Sequence, residues 1–94
     1  KEENLSSIVL AEEVTFFNKA AILKSLEEAP NGTKLEIDFR STVFIDYDVI
    51  EILHEFQDKA KEREIAITFL FESETVQAPT NLLEKLSNKL KVQV

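Results

Sequence analysis

The chain has 94 residues, a formal net charge of −7, one glycine, one histidine and no cysteine. This length is typical of a single domain with one modest hydrophobic core. The acidic balance argues against nucleic acid as a partner, because phosphate binding needs clustered Lys and Arg. The composition also excludes disulfides, thiolate or multi-histidine metal sites, and the ordinary glycine-rich phosphate loops.

The chain begins with two segments that favour strands. Residues 7–11 and 14–17 are rich in β-branched and aromatic side chains, so each is predicted as a strand. Glu12 and Glu13 interrupt this pattern and are predicted to form a turn.

A helix is predicted over residues 19–29, with Asn18 as its N-cap. An alternative places the cap at Thr15 and loses the second strand. The strand preference of residues 15–17 favours Asn18. The apolar spacing predicts three inward-facing side chains: Ile22, Leu23 and Leu26.

The central segment reads as a turn, a strand, a short connection and a helix. Residues 30–33, Pro-Asn-Gly-Thr, form the strongest turn signal in the chain. Apolar and acidic residues alternate over 35–39, as in a strand with one buried face. From Val49 to about Arg63 the apolar spacing changes to that of an amphipathic helix.

The last third predicts a strand, a loop, a helix and a final short strand. Residues 65–71 are almost continuously apolar, as expected of an interior strand covered on much of both faces. Residues 72–80 are predicted as a loop, 81–89 as a helix and 91–94 as a strand. The helix is expected to place four leucines on one side: Leu82, Leu83, Leu86 and Leu90.

This order predicts an α/β fold: one domain over residues 1–94 with a mixed, mostly parallel sheet. The alternation in 35–39 indicates that the helices lie mainly on one face of the sheet. The other face is then either thinly covered or used for contact.

The connection between the central strand and helix carries the candidate functional residues Asp46, Tyr47 and Asp48. The simplest interpretation is that Asp46 or Asp48 caps the helix. An alternative is a pocket for Mg²⁺ or phosphate in which Asp38 joins the two aspartates. Tyr47 is predicted either to cover the helix start or to act as an interface anchor. His54 is predicted to be a partly exposed helix residue rather than a catalytic one.

Two segments of the chain resemble the STAS domain family. Residues 35–56, LEIDFRSTVFIDYDVIEILHEF, are similar to its signature of a strand with an aspartate, then F-[IM]-D-[ST]-[ST]-G, then an amphipathic helix. Residues 14–20, VTFFNKA, resemble a V-[ST]-F-x-N-[KR]-A segment of the STAS domains attached to SulP (sulfate permease) anion transporters. The similarity runs from about Ile8 to Phe71, and it implies the STAS-like fold with Asn18 and Asp38 as secondary site residues.

The chain departs from the family pattern at the switch site. Tyr47 and Asp48 occupy the two hydroxyl positions at which standalone family members are phosphorylated, and Val49 replaces the glycine. Asp48 carries one fixed negative charge where phosphorylation would add about −1.5 to −2. This change fits the transporter subgroup, whose STAS domains often lack the phosphoserine.

The resemblance implies a non-catalytic, cytosolic regulatory or interaction domain of a SulP-type transporter of sulfate or bicarbonate. Its partners would be the transmembrane domain of the same protein and either a second copy or a cytosolic regulator, with no cofactor. The domain would lie at the cytoplasmic face of the inner membrane. The lack of methionine and the start at Lys1 suggest a fragment of a longer protein, and a processed terminus would look the same. The alternative is a standalone anti-sigma factor antagonist or stressosome-type regulator, phosphorylated, if at all, on Ser41 or Thr42.

Overall fold

The structure is a computed structural model that describes residues 5–93, which alternate short strands with helices. In chain order the elements are β1 (Leu5–Val9), β2 (Glu13–Val14), a 3-10 helix (Phe16–Asn18), α1 (Lys19–Glu28), β3 (Lys34–Asp38), β4 (Phe44–Asp46), α2 (Tyr47–Glu62), β5 (Ala66–Leu70), β6 (Thr75–Gln77), α3 (Leu82–Lys89) and β7 (Lys91–Gln93). We call the 3-10 helix together with its cap residue Thr15 the aromatic turn.

The strands form two sheets rather than the one predicted. The first has the order β1-β3-β5-β6, in which only the β5–β6 pair is antiparallel. The second has the order β2-β4-β7 and is parallel throughout. The prediction of a mostly parallel arrangement in an α/β domain is therefore confirmed.

The two sheets are joined where β1 runs on into β2 and β3 runs on into β4. The N–H of Leu10 still donates to the carbonyl of Asp38, and the N–H of Val43 donates to that of Glu12. Residues 39–43 form a loop between these two contacts. Thr42 fixes this loop, because its buried hydroxyl donates to the carbonyl of Ala11 at 2.8 Å.

One face of the four-stranded sheet builds the core. β3 and β5 alternate between buried and more exposed positions, and Leu35 and Ile37 lie in register beside Ile67 and Phe69 on the buried face. The helices contribute the other half of the core, with the largest share from α2. Burying such side chains contributes about 1.5–3 kcal/mol each before the entropy cost of folding.

The opposite face of this sheet is largely exposed. Val9 is 70% exposed, and Leu5 is also exposed on the same strand. Next to them in register are exposed Lys34 and buried Asp38 of β3. β5 was predicted to be covered on both faces, but only its Ile67–Phe69 side is buried, so the helices do lie mainly on one side of this sheet.

Two polar side chains, Gln57 in α2 and Arg63 at its C-cap, connect the helix to neighbouring segments. Gln57 is buried, and its amide forms two hydrogen bonds with the backbone of Thr80, at 2.8 and 3.0 Å. The guanidinium of Arg63 donates to the last carbonyls of α1, those of Leu26, Glu27 and Ala29. A cation complements the free carbonyls at a helix C-terminus.

The predicted turn at 30–33 is confirmed. Gly32 has a φ of +76°, in the left-handed region that glycine adopts without strain. Its N–H donates to the carbonyl of Arg63 at 2.9 Å. The hydroxyl of buried Thr33 closes the turn by donating to the carbonyl of Pro30.

The N-terminal third corrects three predictions. The second strand covers Glu13–Val14 rather than residues 14–17, so Glu13 is not in a turn. Thr15 is a cap residue, and Asn18 makes no side-chain capping bond to α1. Leu23 was expected to face inward but is 41% exposed.

Two short strands were not predicted, the first strand lies two residues earlier than predicted, and one leucine of α3 is more exposed than predicted. β4 occupies the end of the predicted connection before α2, and β6 lies within the predicted loop 72–80. The first strand is Leu5–Val9 rather than 7–11. Leu83 of α3 was expected on the packed side but is 39% exposed, whereas Leu82 and Leu86 are fully buried.

Candidate functional site

The candidate site is built where β4 ends and α2 begins. Asp46 is the last residue of β4, and Tyr47 is the first residue of α2. The two elements follow each other without a loop, because the extended backbone of Asp46 (φ −71°, ψ 141°) leads directly into the helix. This junction is fixed on both sides, since β4 lies between β2 and β7 in the second sheet.

Asp46 occupies the N-cap position of α2, as the sequence-based interpretation allowed, but it lacks the predicted side-chain capping bond. Its side chain makes no hydrogen bond to the first N–H groups of α2. Its Oδ2 instead accepts the backbone N–H of Phe16 at 2.6 Å. The carboxylate therefore ties the start of α2 to the aromatic turn, thirty residues earlier in the chain.

The aromatic turn is held by a reciprocal pair of local hydrogen bonds. The Thr15 hydroxyl accepts the N–H of Phe17 at 3.2 Å, and Oδ1 of Asn18 accepts the N–H of Thr15 at 2.7 Å. This is a capping box, which satisfies N–H groups that would otherwise lack partners. Asn18, predicted as a secondary site residue, is thus a structural part of this turn.

The turn presents two aromatic rings to solvent. Phe16 is 58% exposed and Phe17 is 90% exposed. Their ring centroids are 5.7 Å apart in an edge-to-face arrangement, and Nζ of Lys19 lies 5.3 Å from the Phe16 centroid. We call the aromatic turn together with Asp46, Tyr47 and Asp48 the docking corner.

Tyr47 and Asp48 continue the docking corner along α2. Asp48 is exposed in the first turn of the helix, where a carboxylate complements the free N–H groups. Tyr47 is half-buried and lines a groove of about 240 Å³ between α2 and the start of α3. Exposed His54 and Leu83 line the same groove.

Asp38, the other predicted secondary residue, makes a separate set of contacts. Its buried carboxylate accepts the Nε and Nη2 of Arg40 at 3.0 and 2.8 Å, and also the Arg40 backbone N–H. These hydrogen bonds from Arg40 hold the pKa of Asp38 below its usual range against the opposing effect of burial. Asp38 and Asp46 are each engaged elsewhere, which does not favour the Mg²⁺ pocket.

A second concave surface lies at the carboxyl ends of β3 and β5. This cleft of about 640 Å³ is lined by Phe39 and Phe71, which stack with centroids 5.3 Å apart. Its two cations are already paired, Arg40 with Asp38 and Lys89 with Glu74. The pKa of Glu74 is lowered mainly by its hydrogen bond from Lys89.

Sequence reasoning did not predict that Phe16 and Phe17 are exposed, because it assigned them to a strand. The available signal was the Thr-x-x-Asn spacing of residues 15–18, which matches a capping box and places both phenylalanines in a turn. A turn exposes its side chains far more often than an interior strand does.

Two further findings concern the whole described region. Among residues 5–93, no three side chains of the metal-binding types His, Cys, Asp and Glu come together at one point. Within the same region, no helix combines the length and apolar character needed to cross a bilayer.

The comparisons with known proteins give no relative. No protein-family model matches the chain, and no curated protein or solved structure is significantly similar to it. The resemblance to STAS domains therefore rests on the two sequence segments alone.

Proposed function

We propose that this chain is a non-catalytic STAS-type regulatory or interaction domain of a SulP-type inorganic anion transporter. The observation that carries the proposal is the docking corner, which joins the two segments that resemble the family. The VTFFNKA segment supplies Phe16 and the FIDYD segment supplies Asp46, and the two are hydrogen-bonded at 2.6 Å. Both segments therefore contribute to a single exposed surface.

The residue types at the docking corner support binding rather than a phosphorylation switch. Tyr47 and Asp48 stand where the family carries its switchable hydroxyls. The Tyr47 side chain is half-buried along the groove, and the Asp48 carboxylate is exposed. This corner would resemble a constitutively modified state, because its charge does not depend on a kinase.

The proposal includes a location and partners. The domain would lie on the cytoplasmic side of the inner membrane, attached to the transmembrane part of a transporter for sulfate or bicarbonate. The docking corner would contact that transmembrane part, a second copy of the domain or a cytosolic regulator. The largely exposed face of the four-stranded sheet gives a second surface for such contacts.

The native polypeptide tests this proposal. An antibody raised against the chain should detect, in cells that encode it, a membrane-fraction protein much larger than 10.8 kDa. Anion uptake by that protein should fall after Asp46→Ala but survive Glu72→Ala, a change at an exposed carboxylate in another loop. A soluble band of the size of this chain would contradict the transporter assignment.

A standalone regulator remains the second candidate, and Ser41 is the residue that favours it. Ser41 is exposed in the loop 39–43, whereas the Thr42 hydroxyl is buried and donates to Ala11. A kinase acting on this loop should therefore label Ser41 and not Thr42. Incubation with the cognate kinase followed by mass spectrometry tests this, and the absence of label in the wild-type chain would reject this candidate.

A further inference from the structure

The two exposed rings of the docking corner belong to residues whose backbone is held by hydrogen bonds. The backbone of Phe16 is fixed by Asp46, and that of Phe17 is fixed by Thr15. A ring that is 90% exposed adds almost nothing to the core. Because hydrogen bonds already order the backbone beneath the rings, a partner that covers them has to order only the side-chain torsions, and this lowers the entropy cost of binding.

A row of carboxylates begins beside this corner and follows α2. Its members are spaced three and four residues apart, so they lie on one side of the helix, opposite the buried stripe. All five are exposed, and none has an ion-pair partner among residues 5–93: Asp48, Glu51, Glu55, Asp58 and Glu62. We call this set the acidic row; it extends over roughly 21 Å at 1.5 Å per residue.

We propose that the docking corner and the acidic row together bind a cationic segment of a partner protein. Its apolar side chains cover Phe17, and its Lys or Arg side chains lie along the row. This inference rests on the proposed role as an interaction domain but not on the transporter assignment. The exposed phenylalanines require a partner with apolar side chains, and the unpaired carboxylates require one with basic side chains.

Charge also argues against two other occupants of this surface. A second copy would bring another acidic row against the first, because each chain carries a net charge of −7. An anionic membrane surface would repel the same carboxylates. Both remain as distinguishable outcomes of the experiment.

The test uses the full chain and a defined probe. The probe is an amidated peptide of leucine and lysine that forms an amphipathic helix of about 18 residues, long enough to follow the row. Its control has glutamate in place of each lysine. In NMR titrations of the ¹⁵N-labelled chain, the lysine peptide should shift the amides of Phe16, Phe17 and the acidic row, and the glutamate peptide should shift none of them.

Matched variants test separately whether binding depends on Phe17 and whether it depends on the position of the acidic charges. Phe17→Ala should weaken binding about tenfold or more, whereas Val9→Ala, at another exposed apolar residue, should leave it within about twofold. Charge reversal at Glu51 and Glu55 should weaken binding, and raised salt should do the same. Reversal at two exposed glutamates beside the other cleft, Glu12→Lys with Glu72→Lys, changes the net charge equally and should have little effect.

Several results would overturn the proposal. They are the absence of binding, shifts located mainly outside the docking corner and the row, or equal weakening by the two charge-reversal pairs. A dimer in sedimentation that depends on Phe17 would assign the surface to self-association. Flotation with anionic vesicles that depends on Phe17 would assign it to a membrane. None of these results bears on the membrane-fraction test above, so the two proposals can fail separately.

Discussion

Replacing Asp46 by alanine should loosen the docking corner and destabilise the domain by a predictable amount. The substitution removes the carboxylate that accepts the Phe16 N–H at 2.6 Å. A hydrogen bond to a charged group contributes about 1.5–3 kcal/mol when it is shielded from water. Asp46 is only half-buried, and water can reach the freed N–H, so the expected loss is about 1–1.5 kcal/mol.

Thermal unfolding measures the loss of stability, and amide hydrogen exchange measures the loosening of the docking corner. The melting temperature of a domain of this size should fall by roughly 4–8 °C per kcal/mol lost. Protection of the Phe16 amide should drop more than that of amides in β3. Asp46→Asn keeps an acceptor oxygen and should cost about half as much, because only the charge is lost.

The control is Asp48→Ala, which removes an exposed carboxylate with no hydrogen bond to the aromatic turn. It should cost at most about 0.3–1 kcal/mol through the helix dipole and leave Phe16 protection unchanged. If Phe16 exchanges at the same rate with and without the Asp46 carboxylate, the connection between the two family-like segments does not exist in solution. The argument for a single docking corner would then fail.

Three further changes test the scaffold. Gln57→Ala should cost about 2–4 kcal/mol in urea unfolding, because both backbone groups of Thr80 lose their partner, and Gln57→Glu should not rescue this loss, since it sets a buried carboxylate oxygen against the Thr80 carbonyl. Arg63→Met should lower stability by about 2–3 kcal/mol and speed amide exchange in the last turn of α1, because several carbonyls there lose their donor. Because the pKa of Asp38 is lowered in the folded state, its ionised carboxylate stabilises the fold. This contribution is complete above the ordinary carboxyl pKa of about 3.9, and it is lost progressively as the pH falls through the lowered pKa. Acid titration of Arg40→Gln should therefore show a smaller loss of stability below about pH 4 than the unmodified chain does.

The elements with a long periodic pattern could be predicted from the sequence. The helix from Tyr47 and the strand Lys34–Asp38 lie within one or two residues of their predicted positions, because their apolar spacing reflects a single buried face. The turn at Gly32 was equally clear, since few residues other than glycine accept its backbone conformation.

The short strands could not be predicted in this way. β4 and β6 have three residues each, too few for an alternating pattern to be distinguished from chance. They exist because other strands pair with them: the distant β2 and β7 pair with β4, and the preceding strand β5 pairs with β6. Local propensity carries no information about such pairing.

The docking corner could not be predicted either, because it depends on a hydrogen bond between residues that are far apart in the chain. The strand preference of Phe16 and Phe17 was outweighed by the capping box and by the carboxylate of Asp46. For Leu23 and Leu83, helical periodicity correctly gave the apolar side of the helix. It could not give the width of the buried stripe, because that width depends on which neighbouring helix covers it.

The position of Phe17 has a consequence for how this domain can change over generations. Its ring lies outside the interior, and the bonds that shape its turn come from Thr15, Asn18 and Asp46. Most replacements at position 17 should therefore leave folding intact while changing the apolar surface that the turn exposes. A lineage can acquire or lose an interaction here through single substitutions, without compensating mutations elsewhere in the chain.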